Sequence, residues 1–425
     1  MINEEFLQFI WRNKLFKNKS LRTIAGENVE IINVGETNND AGPDFFNAKI
    51  KTNNTIWAGN VEIHVNSSDW YKHSHHLDKS YDNVILQVVK KYDKEIFRSN
   101  GESIPTIELK YSDDLFCNYN KLLKSENWIP CEKKFGKVDK FLIDFWLNSL
   151  TIERLEKKSN EIRLILERNK NNWEETFYQY LAKNFGFKVN SQPFEMLAKS
   201  IPLKYLAKHK NNLLQLEAIL FGQAGMLSKE INDNYYLKLQ KEYYFLKNKF
   251  QLVAIDEYLW KFLRIRPSNF PTIRIAQFAN LVYKSSGLFS KIIEIKNFND
   301  IKQLFEINAS EYWDCHYTFT KKSKKRKKQL GNTAFNNIII NTIIPFLFIY
   351  SKAKDNELYK DLSLKFLEEL PAENNSIISN WKSIGIKVPN AYYSQSLIQL
   401  KNEYCKFKKC LQCQIGNKII KNNLT

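Results

Sequence analysis

Alternating apolar and polar positions in the first quarter of the chain predict a sheet. Alternation and short apolar runs predict strands over residues 29–34, 45–51, 55–65, 84–89 and 104–109. Helical spacing predicts a helix over residues 3–17 and another over residues 69–80, the second capped by Ser67 or Ser68. The predicted order is helix, three strands, helix and two strands.

From about residue 139 the apolar positions follow helical spacing. They predict helices over residues 150–167, 174–185, 213–220, 236–247, 257–264, 273–283, 338–352 and 376–381. The sequence thus predicts an α+β fold, in which a mixed-sheet domain (1–120) precedes a mostly α-helical domain (121–425).

The charge balance favours a polyanionic partner. The net charge is +18, which suits nucleic acid or an anionic membrane surface, although a solvated basic surface has the same composition. We expect no membrane partner, because the apolar run 338–350 is too short for a span. The acidic N-terminus lacks a secretory signal, and six cysteines form no disulfide framework in a chain this long. We therefore expect a cytoplasmic protein, of open oligomeric state.

Residues 40–87 carry the most concentrated candidate chemistry. Asp40 and Asp44 bracket a Gly-Pro turn. Glu62 and His64 lie two apart in a predicted strand, so their side chains share one face. Carboxylates from neighbouring strands are suited to holding a divalent cation.

This order of elements resembles the PD-(D/E)XK nuclease fold, a restriction-endonuclease-like domain. The motif matches are Asp44 after a proline and Glu62-x-His64, with 17 residues between Asp44 and Glu62. The resemblance implies that Asp44 and Glu62 hold Mg²⁺ or Mn²⁺ with help from Asp40, that His64 ligates the ion or activates water, and that Gln87 supports them. The third motif position usually carries lysine, and a histidine there favours Zn²⁺, Mn²⁺ or Fe²⁺.

Three further histidines follow on the predicted helix 69–80. On a helix, His73 and His76 share a face with Asp69, one turn earlier. Three interpretations are open for these two residues and His75. They are second metal ligands, contacts to phosphate, or ordinary surface histidines.

The whole chain also resembles an uncharacterised bacterial family, domain-of-unknown-function family 2851. The segments that carry this resemblance are NDAGPDFFNAKI, WAGNVEIHVNSSDWYKH, LRIRPSNFPTIRIAQFA and CLQCQIGN. It implies no activity.

Cysteines near the C-terminus suggest a second metal site. Cys405, Cys410 and Cys413 have the spacing C-x4-C-x2-C, which suits structural zinc or an iron–sulfur cluster. Cys131 is the candidate fourth ligand, and Cys315 beside His316 is an alternative donor. Reduced free thiols are the other interpretation.

Two basic segments are candidates for binding nucleic acid. Residues 321–328, KKSKKRKK, include Lys324, Lys325 and Arg326, which suit phosphate contacts or a solvated loop. Arg264, Arg266 and Arg274 lie in LRIRPSNFPTIR, where guanidinium groups suit phosphates or bind helix carboxylates and carbonyls.

Three functions fit these patterns. The leading hypothesis is a metal-dependent nuclease or nuclease-like protein that hydrolyses phosphodiester bonds. The alternatives are a non-catalytic nucleic-acid-binding module on a degenerate nuclease fold, and a hydrolase of a small phosphoester that uses a transition metal.

Overall fold

The chain has an α+β architecture, as the sequence predicted. The structure is a computed structural model, and it describes residues 2–17, 21–38, 40–285 and 287–422. A mixed sheet occupies residues 21–108, and the rest is largely helical. By packing, the chain forms two compact units, Met1–Trp146 with Leu400–Thr425, and Leu147–Gln399. The division at residue 120 stays a prediction.

The sheet combines antiparallel and parallel pairs. Its strand order is β1-β2-β4-β5-β6-β7, and β3 pairs with β4. Pairs from β1 to β5 are antiparallel, whereas β5, β6 and β7 run parallel. The strands are β1 Leu21–Arg22, β2 Asn28–Asn33, β3 Glu36–Thr37, β4 Phe45–Thr52, β5 Thr55–Asn66, β6 Val84–Lys91 and β7 Thr106–Glu108, and a separate pair is formed by β8 His316–Thr318 and β9 Lys321–Lys322.

The helices follow the predicted spacing over most of the chain. In the first unit α1 begins where the Asn3 side chain accepts a hydrogen bond from the Phe6 N–H. The helices are α1 Glu4–Arg12, α2 Asp69–Lys72, α3 Asp113–Leu123, α4 Glu132–Phe135, α5 Lys140–Arg168, α6 Trp173–Phe185, α7 Ser191–Ser200, α8 Leu203–Lys208, α9 Leu213–Gln223, α10 Asn234–Phe250, α11 Pro271–Lys284, α12 Leu288–Glu294, α13 Phe298–Leu304, α14 Asn332–Ile338, α15 Ile344–Lys354, α16 Glu357–Glu369, α17 Ser376–Ser383, α18 Ala391–Gln399 and α19 Gln414–Lys421.

Three predicted helices are longer than the observed ones. The helix expected over residues 3–17 ends at Arg12. The helix expected over residues 69–80 ends at Lys72, because Ser74 takes the left-handed conformation (φ 63°), and short 3₁₀ turns follow. The N-cap residue is Ser68, but its side chain makes no capping bond. The helix expected over residues 257–264 is a single 3₁₀ turn, Glu257–Leu259.

The most apolar run forms a longer helix than the sequence indicated. α14 and α15 are joined by a π-helical turn into one helix, Asn332–Lys354, of 23 residues. Its length and composition are therefore sufficient for a membrane span, against our expectation that the run was too short. However, 72% of its most apolar window is buried inside the fold, as in the core helix of a soluble protein.

Gly59 lies where β5 passes close to β6. A Cβ there would meet Ile85 Cγ2 at 2.4 Å and the Asn83 carbonyl oxygen at 2.6 Å. We expect Gly59→Ala to lower the free energy of unfolding by about 1–3 kcal/mol through overpacking. Gly136→Ala is the matched control, since a Cβ at Gly136 meets nothing within 4 Å. Denaturant unfolding of both variants tests this, and equal stabilities would contradict the close approach.

Candidate functional site

Asp44 and Glu62 come together at the junction of β4 and β5. Asp44 immediately precedes β4, and Phe45 pairs with Val61 of β5. The Asp44 N–H donates to Glu62 Oε2 (3.0 Å), and the Ile63 N–H donates to Asp44 Oδ2 (2.9 Å). The two carboxyl groups are therefore neighbours, as the sequence predicted.

Burial makes this pair of carboxyl groups electrostatically costly. In the part of the chain that the structure describes, the ion pairs of Glu62 are with histidines, and neither carboxylate has a lysine or arginine partner. Burial, with the Glu62 charge, raises the pKa of Asp44 to about 7. Burial also raises the pKa of Glu62 to about 8. Since two adjacent anions without a cation are unfavourable in a low dielectric, a bound cation would stabilise them.

His64 is held by Gln87 from the neighbouring parallel strand β6. Gln87 pairs in register with Glu62 and is fully buried. Its amide nitrogen donates to the Ser67 carbonyl (3.3 Å) and lies 3.1 Å from His64 Nδ1. Because that amide nitrogen is a donor, Nδ1 accepts, and the neutral ring carries its proton on Nε2.

The Nε2 atom of His64 faces the carboxyl pair. It lies 3.5 Å from Glu62 Oε1 and is buried, with no hydrogen-bond partner in the described part of the chain. Burial, followed by His75 and His73, lowers the pKa of His64 to about 3, so the ring is neutral at physiological pH. His64 thus presents a neutral N–H toward Glu62.

The break after α2 brings His73 and His75 to His64. Ligand nitrogens of the three rings all lie within 4.8 Å of one another. His75 Nε2 is also 3.3 Å from Glu62 Oε1, and its ring stacks on Tyr81 with centroids 3.8 Å apart. Among the described residues this is the one group of three or more His, Cys, Asp or Glu side chains that satisfies this distance.

His76 lies apart from that group. Its ring packs edge-on against Tyr71, with centroids 5.0 Å apart. The predicted face shared by His73 and His76 is therefore wrong, because it assumed an uninterrupted helix.

Helix α1 adds two polar groups that the sequence did not point to. Gln8 Nε2 donates to Asp44 Oδ1 (2.8 Å). Burial raises the pKa of Glu4, and the nearby charges on His73 and Asp44 act on it in opposite directions. Glu4 and Gln8 are four apart and so share a face of the helix. That spacing is the signal that could have suggested their joint role.

Asp40 is separate from this cluster. It is exposed, and Asn38 contacts its backbone N–H and carbonyl oxygen. Among the described residues no contact joins the Asp40 carboxylate to Asp44 or Glu62. The structure thus brings together Asp44, Glu62, His64 and Gln87 of the predicted site, and does not bring Asp40 to them.

The four candidate cysteines converge in the first unit. The C-terminal segment packs there because Arg12 donates to the Leu411 carbonyl (3.2 Å) and Lys421 to the Asn13 side chain (2.7 Å). Burial raises the pKa of the Cys405 thiol, and Cys131, Cys413 and Cys410 raise it further.

Cys413 is surrounded by N–H groups. Burial raises the pKa of its thiol, whereas the N–H groups of Gly416 and Ile415 and the Trp146 indole lower it. The Trp146 indole nitrogen is buried, and the described residues offer it no other hydrogen-bond partner. Such donors stabilise a thiolate.

The two remaining cysteines lie outside this cluster. Cys117 is exposed, and Cys315 is in the other compact unit.

The predicted nucleic-acid contacts lie in the second unit. Arg264, Arg266, Lys324, Lys325 and Arg326 are exposed. Arg274 is instead buried, at 4% exposure.

The fold and site define an α+β protein with a buried histidine–carboxylate cluster on a mixed sheet. A family model described as "Protein of unknown function (DUF2851)" matches residues 4–376, and the chain belongs to this family. No curated protein and no solved structure matches the chain.

The raised pKa values predict that the metal-free protein loses stability as pH rises. The folded state keeps protons on Asp44 and Glu62 that the unfolded chain, with ordinary pKa values, has released. Stability should therefore fall by on the order of 2 kcal/mol between about pH 7 and pH 9. His64 and His75, whose pKa values are lowered, are neutral in both states above the ordinary histidine pKa and add almost nothing there. Chemical unfolding in a chelator measures this, and Glu62→Gln should flatten the profile. A flat or rising profile in the unaltered protein would contradict it.

Proposed function

We propose that this protein is a metal-dependent hydrolase of phosphate esters, with the phosphodiester bonds of nucleic acid as the leading substrate. One observation carries the proposal. A buried carboxyl pair, which has no lysine or arginine partner among the described residues, faces three clustered imidazoles, and a divalent cation would complete this arrangement.

Glu62, His73 and His75 are the ligands that fit best. Two histidines and a glutamate are a recurrent set in catalytic zinc sites, which leave a fourth position open. The 3.3 Å between Glu62 Oε1 and His75 Nε2 suits two ligands of one ion, because bonds of about 2.1 Å at tetrahedral angles separate ligand atoms by about 3.4 Å. A cation bound there polarises the phosphate ester and lowers the pKa of water.

His64 has a different role in this proposal. Since Gln87 occupies Nδ1, the ring directs its Nε2–H to the centre of the cluster and donates to an oxygen of the substrate. Asp44 is engaged by Gln8 and by the Ile63 N–H, so it positions Glu62 and adds negative charge. In the nucleases that this chain resembles, the lysine at the third motif position also donates hydrogen bonds. A histidine that donates can take the same role here.

The PD-(D/E)XK resemblance is part of this proposal. The order α1, strands β1 to β5, α2 and a parallel β6 supports it, as does the juxtaposition of Asp44 and Glu62. The net charge of +18 favours a polyanionic substrate. The second candidate is a hydrolase of small phosphoesters, which the histidine ligands favour because imidazole selects transition metals over Mg²⁺.

Substitution of ligands and of His64 should have different effects. We expect His75→Ala and Glu62→Gln to lose the ion, and their hydrolysis rates to fall at least roughly 100-fold. His64→Leu should keep the ion while slowing turnover by about 10²–10³-fold, because it removes the N–H donor and leaves the proposed ligands in place. Metal analysis and cleavage assays with Mn²⁺, Zn²⁺ or Mg²⁺ on DNA, RNA and a small phosphodiester measure both effects.

Two variants at residues outside the cluster serve as controls. His76→Ala and Glu36→Gln alter residues outside the cluster and should leave metal content and rate unchanged. Metal loss in His64→Leu would make His64 a ligand and overturn its assignment as a donor. If the unaltered protein binds nucleic acid but never cleaves any substrate, the non-catalytic binding module replaces the hydrolase.

We also propose that Cys131, Cys405, Cys410 and Cys413 hold a structural iron–sulfur cluster. Burial raises the thiol pKa of Cys131 and of Cys405, and the nearby Cys413 and Cys410 raise both further. Among the described residues, however, no three sulfurs lie within 4.8 Å of one another. A zinc tetrathiolate, with Zn–S bonds of about 2.3 Å, places its sulfurs about 3.8 Å apart. Iron and sulfide ions stand between the thiolates of a cluster and space them further, which fits this arrangement better.

Protein purified without oxygen should contain iron and acid-labile sulfide and absorb visible light. Cys413→Ser should lose both ions, because it removes a thiolate ligand, whereas Cys117→Ser should keep them. Elemental analysis, with circular dichroism to confirm folding, measures this. Zinc instead of iron would contradict the cluster, and unchanged metal content in Cys131→Ser and Cys413→Ser would contradict the site.

A further inference from the structure

A polar cavity in the second unit gathers arginines that are distant in sequence. Its volume is about 430 Å³, and Arg266, Arg274 and Arg326 line it. Arg326 comes from the basic segment 321–328, some fifty residues after the other two. In the described part of the chain, no carboxylate oxygen lies within 4.0 Å of these guanidinium groups.

Arg274 is the unusual member of this set. It is buried at 4% exposure, and its Nε atom has no hydrogen-bond partner among the residues that the structure describes. Its terminal nitrogens donate to Gln277 (2.7 Å) and Asn269 (2.5 Å), and its guanidinium lies over the Phe187 ring, 4.7 Å from the centroid. A buried cation with neutral partners is costly, and an anion in the adjoining cavity would offset that cost.

The same contacts fix the basic segment beside the cavity. The Gln277 amide donates to the Lys328 carbonyl (2.9 Å), and the Lys328 ammonium donates to the Asp314 carbonyl (3.2 Å). The Arg326 N–H also donates to the Asp314 carbonyl (2.8 Å). The end of this segment is therefore anchored rather than free, and Arg326 is held near Arg274.

The first turn of the 23-residue helix Asn332–Lys354 lines the cavity too. Gly331 is its N-cap and supplies no side-chain bond to the first N–H groups. Those N–H groups and the positive end of the helix favour an anion. A Cβ on Gly331 would meet nothing within 4 Å, so the space in front of the helix is open.

We propose that this cavity is a binding site for a phosphate group, with Arg266, Arg274 and Arg326 as its contacts. Guanidinium groups bind phosphate oxygens through paired, charge-assisted hydrogen bonds. The volume exceeds that of the phosphate alone, so the group belongs to a larger ligand, either a mononucleotide or a nucleic-acid strand. The site lies in the second unit and does not rest on the proposed hydrolase.

Binding in a chelator and at constant ionic strength tests the proposal without the metal site. The probes are inorganic phosphate, a nucleoside 5′-monophosphate and a short 5′-phosphorylated single-stranded oligonucleotide, titrated by calorimetry. We expect Arg266→Ala and Arg326→Ala each to weaken binding roughly tenfold, the effect of losing one charge-assisted contact. Arg264→Ala, with the same change of charge in the same segment but outside the cavity, should bind normally.

Gly331 offers a variant that leaves the arginines intact. Gly331→Asp should raise the melting temperature by capping the helix, and should abolish phosphate binding by placing a carboxylate in the cavity. Gly331→Asn caps equally without charge and should retain binding. The tightest probe identifies the source of the phosphate. No binding by any probe, or equal losses in Arg264→Ala and Arg266→Ala, would overturn the site.

Discussion

The buried contact between Asp44 and Glu62 is the constraint on which the first unit depends. One carboxylate accepts from the backbone of the other residue, so the two cannot separate without breaking the β4–β5 junction. Their negative charges are unfavourable together in a buried setting, and the raised pKa of each is the direct consequence. His64 does not supply the missing charge, because burial keeps its ring neutral. We propose that a divalent cation supplies it.

The surrounding strands and helices position the side chains around Asp44 and Glu62. The parallel pairing of β5 with β6 places Gln87 beside Glu62, where it orients His64. Helix α1 positions Gln8 to donate a hydrogen bond to Asp44. The left-handed Ser74 ends α2 and turns the chain so that the histidines beside it reach the cluster. Local sequence and long-range packing therefore together determine which side chains form the cluster.

Much of this arrangement follows from local pattern, and the remainder does not. Alternation along residues 61–65 was enough to place Glu62 and His64 on one face, and a continuous apolar run was enough to predict β6. The alternating pattern does not predict that both faces of β5 are buried, because that burial depends on segments distant in sequence. The contribution of α1 was not predicted, because Gln8 lies 36 residues from its partner. The proximity of His73 and His75 to His64 was not predicted, because the predicted helix over residues 69–80 continued through Ser74.

The most direct measurement is a calorimetric titration of the metal-free protein with Mn²⁺ or Zn²⁺ at neutral pH, in two buffers that differ in ionisation enthalpy. We expect one ion to bind in the cluster and to displace protons, because the raised pKa values leave Asp44 and Glu62 partly protonated before binding. We also expect the Asp44→Asn variant to release fewer protons. Absence of binding, or binding without proton release, would contradict the proposed metal site.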